Sequence, residues 1–417
     1  MRLLVVSQYF WPENFRINDL VSALRARGHE VTVLTGLPNY PEGVVFDAFR
    51  RDPAAFADFE GASIVRVPLV SRGRNRLRLA LNYLSFALVA SVLGPSRLRG
   101  RAFDAIFVFQ TSPITAALPA LVLRRLRRVP VLLWILDLWP ETLAAIGVIR
   151  SPRLLGVVGR LVRFVYRRCD RILLQSRAFA ASVESLGGEA DRVRYFPGWA
   201  EPVFEGAPRD IAPAPEVEPF ARTFNVVFAG NIGEGQGFAA ILDAVAALDD
   251  RPQVRWLVVG DGRAAAALRE DIARRRLGDR IVLLGRHPLE RMPSFFRAAD
   301  ALLVSLKRDP VFALTVPGKV QSYLAAGMPI LAMMDGEGAR IVEEARAGLA
   351  SPAGDGAKLA ENVRRLLDMS ADERSAMGAR GRLYADREFN RERLVSSLEG
   401  WVLEASAEGP RAAAHTR

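Results

Sequence analysis

Continuous apolar runs recur along this chain, each followed by a longer stretch whose apolar residues have helical spacing. Such runs are typical of parallel strands that are covered on both faces. The predicted strands of the first half are residues 2–8, 29–36, 62–68, 104–110, 129–137, 170–176 and 191–197. Those of the second half are residues 224–231, 254–262, 279–286, 300–306 and 328–334. The alternation of strand and helix predicts an α/β fold with a doubly wound sheet in each half.

A stretch rich in Pro and Ala, "EGAPRDIAPAPEVEP", interrupts this pattern and marks the best domain boundary. We predict a Rossmann-like domain over residues 1–204, a linker over 205–222 and a second Rossmann-like domain over 223–385. Two such domains imply a central cleft between them, with ligands at the carboxyl ends of the strands. The last residues, 406–417, are expected to form a disordered tail.

Length and composition exclude several classes of protein. The 417 residues suit two domains, and the single cysteine, Cys169, excludes a disulfide framework or a cysteine metal cluster. The three histidines lie far apart in sequence, so no metal site and no cofactor are predicted. The apolar run at the N-terminus is too short for a secretory signal, which favours a cytoplasmic protein.

The charge is unevenly distributed. Residues 1–200 contain 28 Arg and no Lys against 15 Asp and Glu, a net charge of +13. This leaves 29 of the 57 basic and 31 of the 46 acidic residues for the rest of the chain. A basic half indicates an anionic partner. Nucleic acid is not favoured, because no binding motif accompanies the charge.

Two stretches of the basic half suggest a membrane surface. Four Arg at alternate positions in residues 71–78 precede an apolar stretch at 79–93, which at about 22 Å is too short to span the bilayer. In residues 153–171 five Arg fall on one side of a predicted helix and apolar residues on the other. Such segments commonly lie on anionic membranes. Core-packing helices with solvated basic faces are the alternative.

The second half carries the stronger chemical signals. Strands end in Gly230-Asn231 and in Gly260-Asp261-Gly262, and glycine at a strand end lets the backbone approach a ligand. The stretch "TVPGKVQSYLAAGMPILA" places Lys319 at a helix start, where backbone N–H groups and the helix dipole attract anions. Together these features predict a site for a nucleotide diphosphate. Tight turns and solvated lysines, including Lys307, are the simpler alternative.

The first half offers two acidic candidates. Glu13 and Asn14 lie in the crowded loop that follows the first strand. Asp137 ends the fifth strand, where it could orient a sugar or act in acid–base chemistry. Capping of the helix that begins near Pro140 is an equally good reading of Asp137.

The order of several motifs resembles glycosyltransferase family 4. These motifs are "SQYFWPENFRINDLVSALRARGHEVTVLTGLPNYPEG", "DLWPE", "AGNIGEGQGF", "VVGDG", "LLGRHPLERMP" and "VPGKVQSYLAAGMPILA". The resemblance covers roughly residues 1–400. Within the family it is greatest to the branch of colanic-acid and O-antigen transferases of the N-acetyl-fucosamine type.

This resemblance implies a GT-B fold and a retaining, metal-independent glycosyltransferase. The expected donor is a UDP-sugar, with an N-acetylated or deoxy amino sugar to transfer, and the expected acceptor is a polyprenyl-diphosphate-linked glycan for cell-surface polysaccharide. The enzyme would then be peripheral on the cytoplasmic face of the inner membrane. The last helix, residues 386–405, would cross back onto the N-terminal domain.

The chain departs from the family pattern at several positions. Two family carboxylates, a Glu-x7-Glu pair, correspond to Leu314 and Ser322, and a family Arg and Lys correspond to Asn231 and Gln236. Other groups must therefore bind the donor diphosphate and balance its charge. We predict Glu13, Asp137 and Lys319 as catalytic residues and Asn14 and Asn18 as acceptor-binding residues. The predicted donor-binding residues are Gly230, Asn231, Gln236, Gly260, Asp261, Gly262, Arg263, Arg286, Lys307, Pro317, Gly318 and Ser322.

Two further functions remain open from the sequence. UDP-sugar 2-epimerases share the two-domain architecture, but they use catalytic carboxylates and histidines, and this chain has three histidines in total. A catalytically idle member that binds a nucleotide sugar or partners another transferase would fit the missing Glu pair.

Overall fold

The computed structural model describes residues 1–73, 76–145, 147–204 and 211–410. The chain forms two compact units, an N-terminal unit of Met1–Pro197 with Glu392–Arg417 and a C-terminal unit of Gly198–Arg391. The first division therefore lies seven residues before the predicted one. Of the predicted linker, residues 205–210 lie outside the described residues. The remainder belongs to the C-terminal unit, where Ala214 and Val217 are buried in the core.

The sheet of the N-terminal unit has eight strands in the order β3-β4-β2-β1-β5-β6-β7-β8. Its strands are β1 (Arg2–Val6), β2 (Glu30–Gly36), β3 (Asp58–Phe59), β4 (Ala62–Val67), β5 (Ala105–Gln110), β6 (Val131–Ile135), β7 (Arg171–Leu174) and β8 (Val193–Tyr195). All pairs are parallel except β3 with β4. The doubly wound α/β prediction is confirmed for this unit, and only the two-residue β3 escaped the sequence pattern.

Seven helices of this unit precede the C-terminal unit in the chain. They are α1 (Arg16–Ala26), α2 (Asp47–Arg51), α3 (Arg76–Arg97), α4 (Leu118–Arg127), α5 (Glu141–Ala145), α6 (Pro152–Tyr166) and α7 (Ala180–Ser185). α3, α4 and α6 connect successive strands from β4 to β7, all in one direction along the sheet. Right-handed crossovers in one direction lie on the same face, so these three helices cover one face of the sheet.

The C-terminal unit has a six-stranded, wholly parallel sheet in the order β11-β10-β9-β12-β13-β14. Its strands are β9 (Phe224–Ala229), β10 (Val254–Val259), β11 (Ile281–Gly285), β12 (Ala301–Ser305), β13 (Ile330–Met333) and β14 (Gly348–Ser351). Strand order reverses direction at β9, which lies between β10 and β12. Ligands of open α/β sheets bind beyond the carboxyl ends of the strands at such a reversal.

Among its described residues the C-terminal unit has eight helices, and one more follows it. They are α8 (Phe238–Ala246), α9 (Ala265–Arg274), α10 (Met292–Phe296), α11 (Pro310–Leu314), α12 (Gly318–Ala326), α13 (Glu337–Glu344), α14 (Gly356–Asp368), α15 (Ala371–Glu388) and finally α16 (Arg391–Glu408). α12 is the helix that the Pro-Gly-Lys turn predicted. Gly327 ends it in the left-handed conformation, with φ +68°.

The apolar stretch limited to residues 79–93 in the sequence analysis belongs to a longer helix. α3 has 22 residues and is roughly 33 Å long, so the length argument against a membrane span was wrong. The described residues include one segment, Leu77–Arg97, that is long and apolar enough to cross a membrane. This judgement rests on length and composition alone. One face of the helix nevertheless packs into the unit. There the buried Asn82 bonds with Gln8 and with the carbonyl of Val70.

The opposite face of α3 carries exposed apolar side chains. Five of them, spaced three or four residues apart, are 44% to 69% exposed and form what we call the apolar stripe: Leu77, Leu81, Leu84, Leu88 and Val92. Arg74 and Asn75 lie outside the described residues, so the four-arginine pattern of residues 71–78 is described only in part.

The predicted basic helix over residues 153–171 is shorter than expected. α6 ends at Tyr166, and Arg171 begins β7, where it is buried and paired with Glu408. Leu154, one of the apolar residues of this segment, is exposed beside Arg153. The outer surface of α6 therefore mixes basic and apolar side chains.

The last helix, α16, packs on the N-terminal unit. Arg27 donates to Glu392 and Glu399 at 2.6 Å each, and His29 contacts Glu399 at 2.5 Å. Val395, Leu398, Val402 and Ala405 form its buried side. The helix continues to Glu408, three residues into the predicted disordered tail, and residues 411–417 lie outside the described residues.

We expect Leu398→Ala to lower the free energy of unfolding by about 2–4 kcal/mol, since Leu398 is 1% exposed and truncation leaves a cavity. Leu403→Ala is the matched control, because Leu403 on the same helix is 57% exposed. Urea denaturation of the whole chain measures both. Equal effects of the two substitutions would contradict the packing of α16 described here.

Candidate functional site

A cavity of about 540 Å³ lies within the C-terminal unit at the carboxyl ends of β9 and β10. Its walls come from the turns after these strands, the first turns of α12, the segment after β11 and the loop around residue 201. The residues that line it are Glu201, Phe204, Ala229, Gly230, Asn231, Val259, Gly260, Asp261, Arg286, His287, Leu289, Met292, Phe296, Gly318, Lys319, Ser322 and Tyr323.

Two glycines make this edge of the sheet possible. Gly260 has φ +156°, and a Cβ there would lie 1.9 Å from the carbonyl oxygen of Gly230. Gly230 has φ +134°, and its Cβ would lie 2.6 Å from Cε of Lys319. A side chain at Gly260 would collide with backbone, and one at Gly230 would displace the end of the Lys319 side chain. The two strand ends and the lysine therefore form one closely packed group.

The ammonium group of Lys319 is held by weak partners. Its Nζ lies 3.5 Å from the ring centroid of Phe228 and donates to Oε1 of Gln236 at 3.4 Å. No carboxylate of the described residues is within ion-pair distance of it. Burial lowers the pKa of Lys319 from 10.5 to about 7. A cation desolvated in this way gains most from an anionic ligand.

A carboxylate faces the next turn of the same helix. Ser322 is buried, and its hydroxyl donates to Oε2 of Glu201 at 2.8 Å, with the carbonyl of Gly318 3.0 Å away. Glu201 precedes a short 3-10 helix, Pro202–Phe204, that the stacked rings of Phe204 and Phe296 anchor. The carboxylate and the ammonium therefore lie about one helical turn apart along α12.

Of thirteen predicted positions, the twelve donor-binding residues and Lys319, the structure brings eight together in the cavity wall and leaves five outside it. Inside are Gly230, Asn231, Gly260, Asp261, Arg286, Gly318, Lys319 and Ser322. Outside are Gln236, Gly262, Arg263, Lys307 and Pro317. Gln236 still contacts Lys319, whereas Lys307 is exposed and lies 5.8 Å from the ring of Phe312. Gly262 packs on the carbonyl of Ile232, and Pro317 precedes α12.

Sequence reasoning missed several residues of the cavity. Glu201 lies 121 positions from its partner Ser322, and no local pattern marks it. Tyr323 bonds to the backbone of Ala229 at 3.1 Å and fixes α12 against β9. His287 is held by Arg291, which pairs with Glu216 at 2.7 Å. The sequence offered one signal for these missed residues: Tyr323 lies four residues after Lys319, on the same side of the predicted helix.

Glu13 of the N-terminal unit is 2% exposed, and its carboxylate binds backbone rather than open space. It accepts hydrogen bonds from the N–H groups of Phe10, Asn39 and Tyr40 at 3.1, 2.8 and 2.7 Å. Burial raises its pKa to about 7 in spite of these bonds. The carboxylate thus joins two loops beyond β1 and β2, and its catalytic role stays a prediction.

The other predicted residues of this unit differ in their surroundings. Asp137 follows β6, accepts a hydrogen bond from Ser112 at 2.8 Å and has a pKa raised by burial. Trp139 donates to the same Ser112 at 3.1 Å. Asn18 accepts from the N–H of Trp11 and donates to the carbonyl of Glu13, so it supports the loop, and Asn14 is exposed.

A cluster of aromatic side chains with one arginine lies at the carboxyl edge of the N-terminal sheet and was not predicted. Arg72 lies 5.2 Å from the ring centroid of Tyr40 and 3.4 Å from the hydroxyl of Tyr9. Tyr83, one position after Asn82 on α3, lies 6.4 Å from Trp139. Aromatic faces and a guanidinium suit a sugar or phosphate ligand.

A second and larger cavity, of about 660 Å³, lies elsewhere in the C-terminal unit, at the amino ends of β12 and β13. Two of its three lining arginines bind backbone: Arg374 donates to the carbonyl of Met369, and Arg382 donates to the carbonyl of Ala326. Among the described residues, no group of three or more His, Cys, Asp or Glu could hold a metal ion.

Two protein families match this chain. Residues 14–199 match the family described as Glycosyl transferase 4-like domain, and residues 223–369 match Glycosyl transferases group 1. The chain is a family 4 glycosyltransferase. These two matches confirm the resemblance that the motifs of this glycosyltransferase indicated.

Individual relatives agree with this assignment. The glycosyltransferase is 30% identical over 251 residues to "Probable glycosyltransferase WbjE" of Pseudomonas aeruginosa, covering 57% of this chain and 61% of that protein. It is 26% identical over 346 residues to "Putative colanic acid biosynthesis glycosyl transferase WcaI" of Escherichia coli, covering 78% and 82%. The crystal structure of Anabaena HepE in complex with UDP has the same fold, with a TM-score of 0.69, 16% identity and coverage of 97% and 100%.

We expect Lys319→Met to raise the free energy of unfolding by about 1 kcal/mol, because it removes a charge that burial penalises. The lysine has a lower pKa in the folded than in the unfolded chain, so its cost is largest below pH 7 and vanishes above about pH 10.5. The gain should therefore be larger at pH 6 than at pH 9 in urea denaturation.

Lys358→Met is the matched control, since this lysine is 38% exposed and paired with Glu361. Its effect should stay within about 0.5 kcal/mol at both pH values. A loss of stability in Lys319→Met at pH 6 would contradict the desolvation of Lys319.

Proposed function

We propose that this glycosyltransferase moves a sugar from a UDP-sugar to a polyprenyl-diphosphate-linked glycan, with retention of anomeric configuration, in the biosynthesis of a cell-surface polysaccharide. The transferred group is an N-acetylated or deoxy amino sugar. The observation that carries the proposal is Lys319, a half-buried, desolvated ammonium without a carboxylate partner among the described residues, in a cavity whose edge is open to close backbone approach. A diphosphate is the ligand that such a group stabilises most.

The relatives support the choice of donor and pathway. HepE was crystallised with UDP, and WcaI is named for colanic acid biosynthesis. The donor diphosphate is assigned to Lys319 and to the N–H groups at the start of α12, where the helix dipole also favours negative charge. Asn231 and Arg286 line the same cavity and can contribute further donors.

In the proposed reaction the bond between the anomeric carbon and the diphosphate oxygen breaks, and both electrons leave with UDP. Lys319 stabilises the charge that develops on the leaving group, which is where a positioned cation contributes most. The acceptor hydroxyl forms the new bond on the face that UDP leaves, and its proton passes to the departing phosphate. No side chain acts as nucleophile in this scheme.

The acceptor is assigned to the carboxyl edge of the N-terminal sheet. Asp137 can orient a sugar hydroxyl there, and Tyr83 and Trp139 offer aromatic faces to the ring. Arg72 has aromatic and hydroxyl neighbours that leave its charge available to a phosphate of the acceptor.

We also propose that the enzyme is peripheral on the cytoplasmic face of the inner membrane, with α3, α4 and α6 against anionic lipid. The apolar stripe of α3 is one part of this surface, and α6 adds exposed Leu154 and Phe164 beside Arg160 and Arg163. Apolar insertion and attraction to anionic lipid act together in such surfaces. Because Asn82 fixes α3 to β1, the helix lies on the bilayer without crossing it.

UDP should bind in preference to ADP and GDP, and Lys319→Met should weaken UDP binding by roughly 10- to 100-fold. Binding of a phosphate raises the pKa of Lys319 above its free value of about 7, so a proton is taken up. Affinity should therefore fall between pH 7 and pH 9, by at most about tenfold per pH unit. Titration calorimetry in buffers of different ionisation enthalpy measures both effects.

Lys358→Met serves again as the control and should bind UDP as the wild type does. Unchanged affinity of Lys319→Met for UDP would contradict the assignment of Lys319 to the donor site. Transfer of a radiolabelled sugar to a polyprenyl-linked acceptor then separates an active transferase from an idle binder, because an idle binder retains UDP affinity without turnover.

Wild-type protein should sediment with vesicles that contain phosphatidylglycerol, and less with vesicles of phosphatidylcholine alone. The double variant Leu84→Glu/Leu88→Glu should lose most of this binding, because it places two charges in the apolar stripe. Leu383→Glu, at a residue of the C-terminal unit that is 70% exposed, is the control and should bind normally. Normal sedimentation of the double variant would exclude α3 as the contact surface.

A further inference from the structure

Two fully buried asparagines of the N-terminal unit bind the same short segment of backbone. Asn39, beyond β2, and Asn82, on α3, are each 0% exposed, and a buried amide costs free energy unless it is hydrogen-bonded. The segment that both of them bind, residues 70–72, lies between β4 and α3. It carries Arg72, to which the proposed function assigns a phosphate of the acceptor.

Asn82 fixes the start of this segment to α3. Its Nδ2 donates to the carbonyl of Val70 at 2.7 Å, and its Oδ1 accepts from Nε2 of Gln8 at 2.7 Å. Three residues further along the helix, the hydroxyl of Ser85 accepts from the N–H of Val70 at 2.9 Å. Side chains of one helix therefore bind both backbone groups of Val70, and Gln8 joins that helix to the segment after β1.

Asn39 fixes the end of the segment to the loop after β2. Its Oδ1 accepts from the N–H of Arg72 at 2.8 Å, and its Nδ2 donates to the carbonyl of Leu37 at 2.8 Å. Gly43, in the same loop, has φ +76°, and a Cβ there would lie 1.8 Å from the carbonyl oxygen of Arg72. The backbone of Arg72 is thus closely packed as well as hydrogen-bonded, so the origin of its side chain is fixed.

The guanidinium group of Arg72 contrasts with its backbone. No carboxylate of the described residues lies within ion-pair distance of it. Its neighbours are the ring of Tyr40, with the centroid 5.2 Å from Cζ, and the hydroxyl of Tyr9, 3.4 Å from Nη1. A guanidinium binds phosphate oxygens through a rigid fork of N–H donors, so its affinity depends on where the backbone places it.

We propose that Asn39 and Asn82 are positioning residues for acceptor binding, which fix the backbone of residues 70–72 so that Arg72 meets a phosphate of the acceptor. This inference rests on the proposed function, namely that Arg72 binds that phosphate. Asn82 lies on the buried side of α3, opposite the apolar stripe. The stripe and Arg72 are then fixed relative to each other, which suits an acceptor whose phosphates lie at the surface of a bilayer.

The test measures binding of farnesyl diphosphate, a short isoprenoid diphosphate, in an excess of UDP that competes for the donor cavity. Arg72→Met should weaken binding by about tenfold or more, because charge-assisted hydrogen bonds are lost. Asn82→Leu and Asn39→Leu should each weaken it by about three- to tenfold. The double variant Arg72→Met/Asn82→Leu should bind as Arg72→Met alone does, because Asn82 acts through Arg72.

Asn362→Leu is the matched control, since this asparagine of α14 is 1% exposed and likewise donates to a backbone carbonyl, at 2.9 Å. It should change stability without changing the affinity for farnesyl diphosphate. Ser85→Ala is the milder variant, should Asn82→Leu fold poorly, because it removes one hydroxyl at a half-buried position. It should weaken binding by about two- to threefold, and not at all in the Arg72→Met background.

Two results would overturn the proposal. The first is unchanged affinity in Asn82→Leu and Asn39→Leu. The second is a loss in Asn82→Leu that adds fully to that of Arg72→Met, since the asparagine would then act on the fold alone.

Failure of the proposed function gives a different result. If wild type does not bind farnesyl diphosphate, or if Arg72→Met binds it as wild type does, the acceptor assignment of Arg72 is wrong and the positioning role fails with it. If Arg72→Met loses affinity and the asparagine variants do not, only the positioning role is wrong.

Discussion

The desolvation of one ammonium group is the constraint around which the C-terminal unit is arranged. Lys319 can lie where it does because Gly230 has no side chain, and Gly230 can adopt its conformation because Gly260 leaves room for its carbonyl. Tyr323 then ties α12, which carries the lysine, to the end of β9. Strand ends, helix start and cation form one unit, so a change in any of them moves the others. Such an arrangement gives up stability in the free protein and regains it when an anion binds.

The two units place their charge in different ways. In the C-terminal unit, the cation of the described cavity residues that burial desolvates is Lys319. The N-terminal unit distributes arginines over the outer surfaces of α3, α4 and α6, among apolar side chains that are equally exposed. A buried charge acts at short range and discriminates between ligands, whereas a surface of many charges acts at long range and is screened by salt. The first suits a small nucleotide, and the second suits an extended lipid surface.

The strands were predictable because parallel strands buried on both faces leave continuous apolar runs, and β1, β5, β9 and β12 lie where those runs fall. The two-residue β3 and the short β14 leave no such run. Lys319 was predictable from a local motif at a helix start. Glu201 was not, since its contact with Ser322 joins distant segments through an irregular loop. The contacts of Glu13 were not predictable either, because the three backbone N–H groups that it binds belong to two loops that are distant in sequence.

The return of α16 to the N-terminal unit makes the C-terminal unit an insertion within it. On a ribosome that adds about 5–20 residues per second, residues 198–391 take roughly 10 to 40 s to emerge. During that time the positions against which α16 packs, including Arg27, His29 and Arg171, remain uncovered. The C-terminal unit is contiguous in the chain and can complete its core first. The N-terminal unit, whose synthesis begins first, is thus the last to complete its fold. Until then its exposed surface includes both the apolar stripe and the surface that α16 later covers.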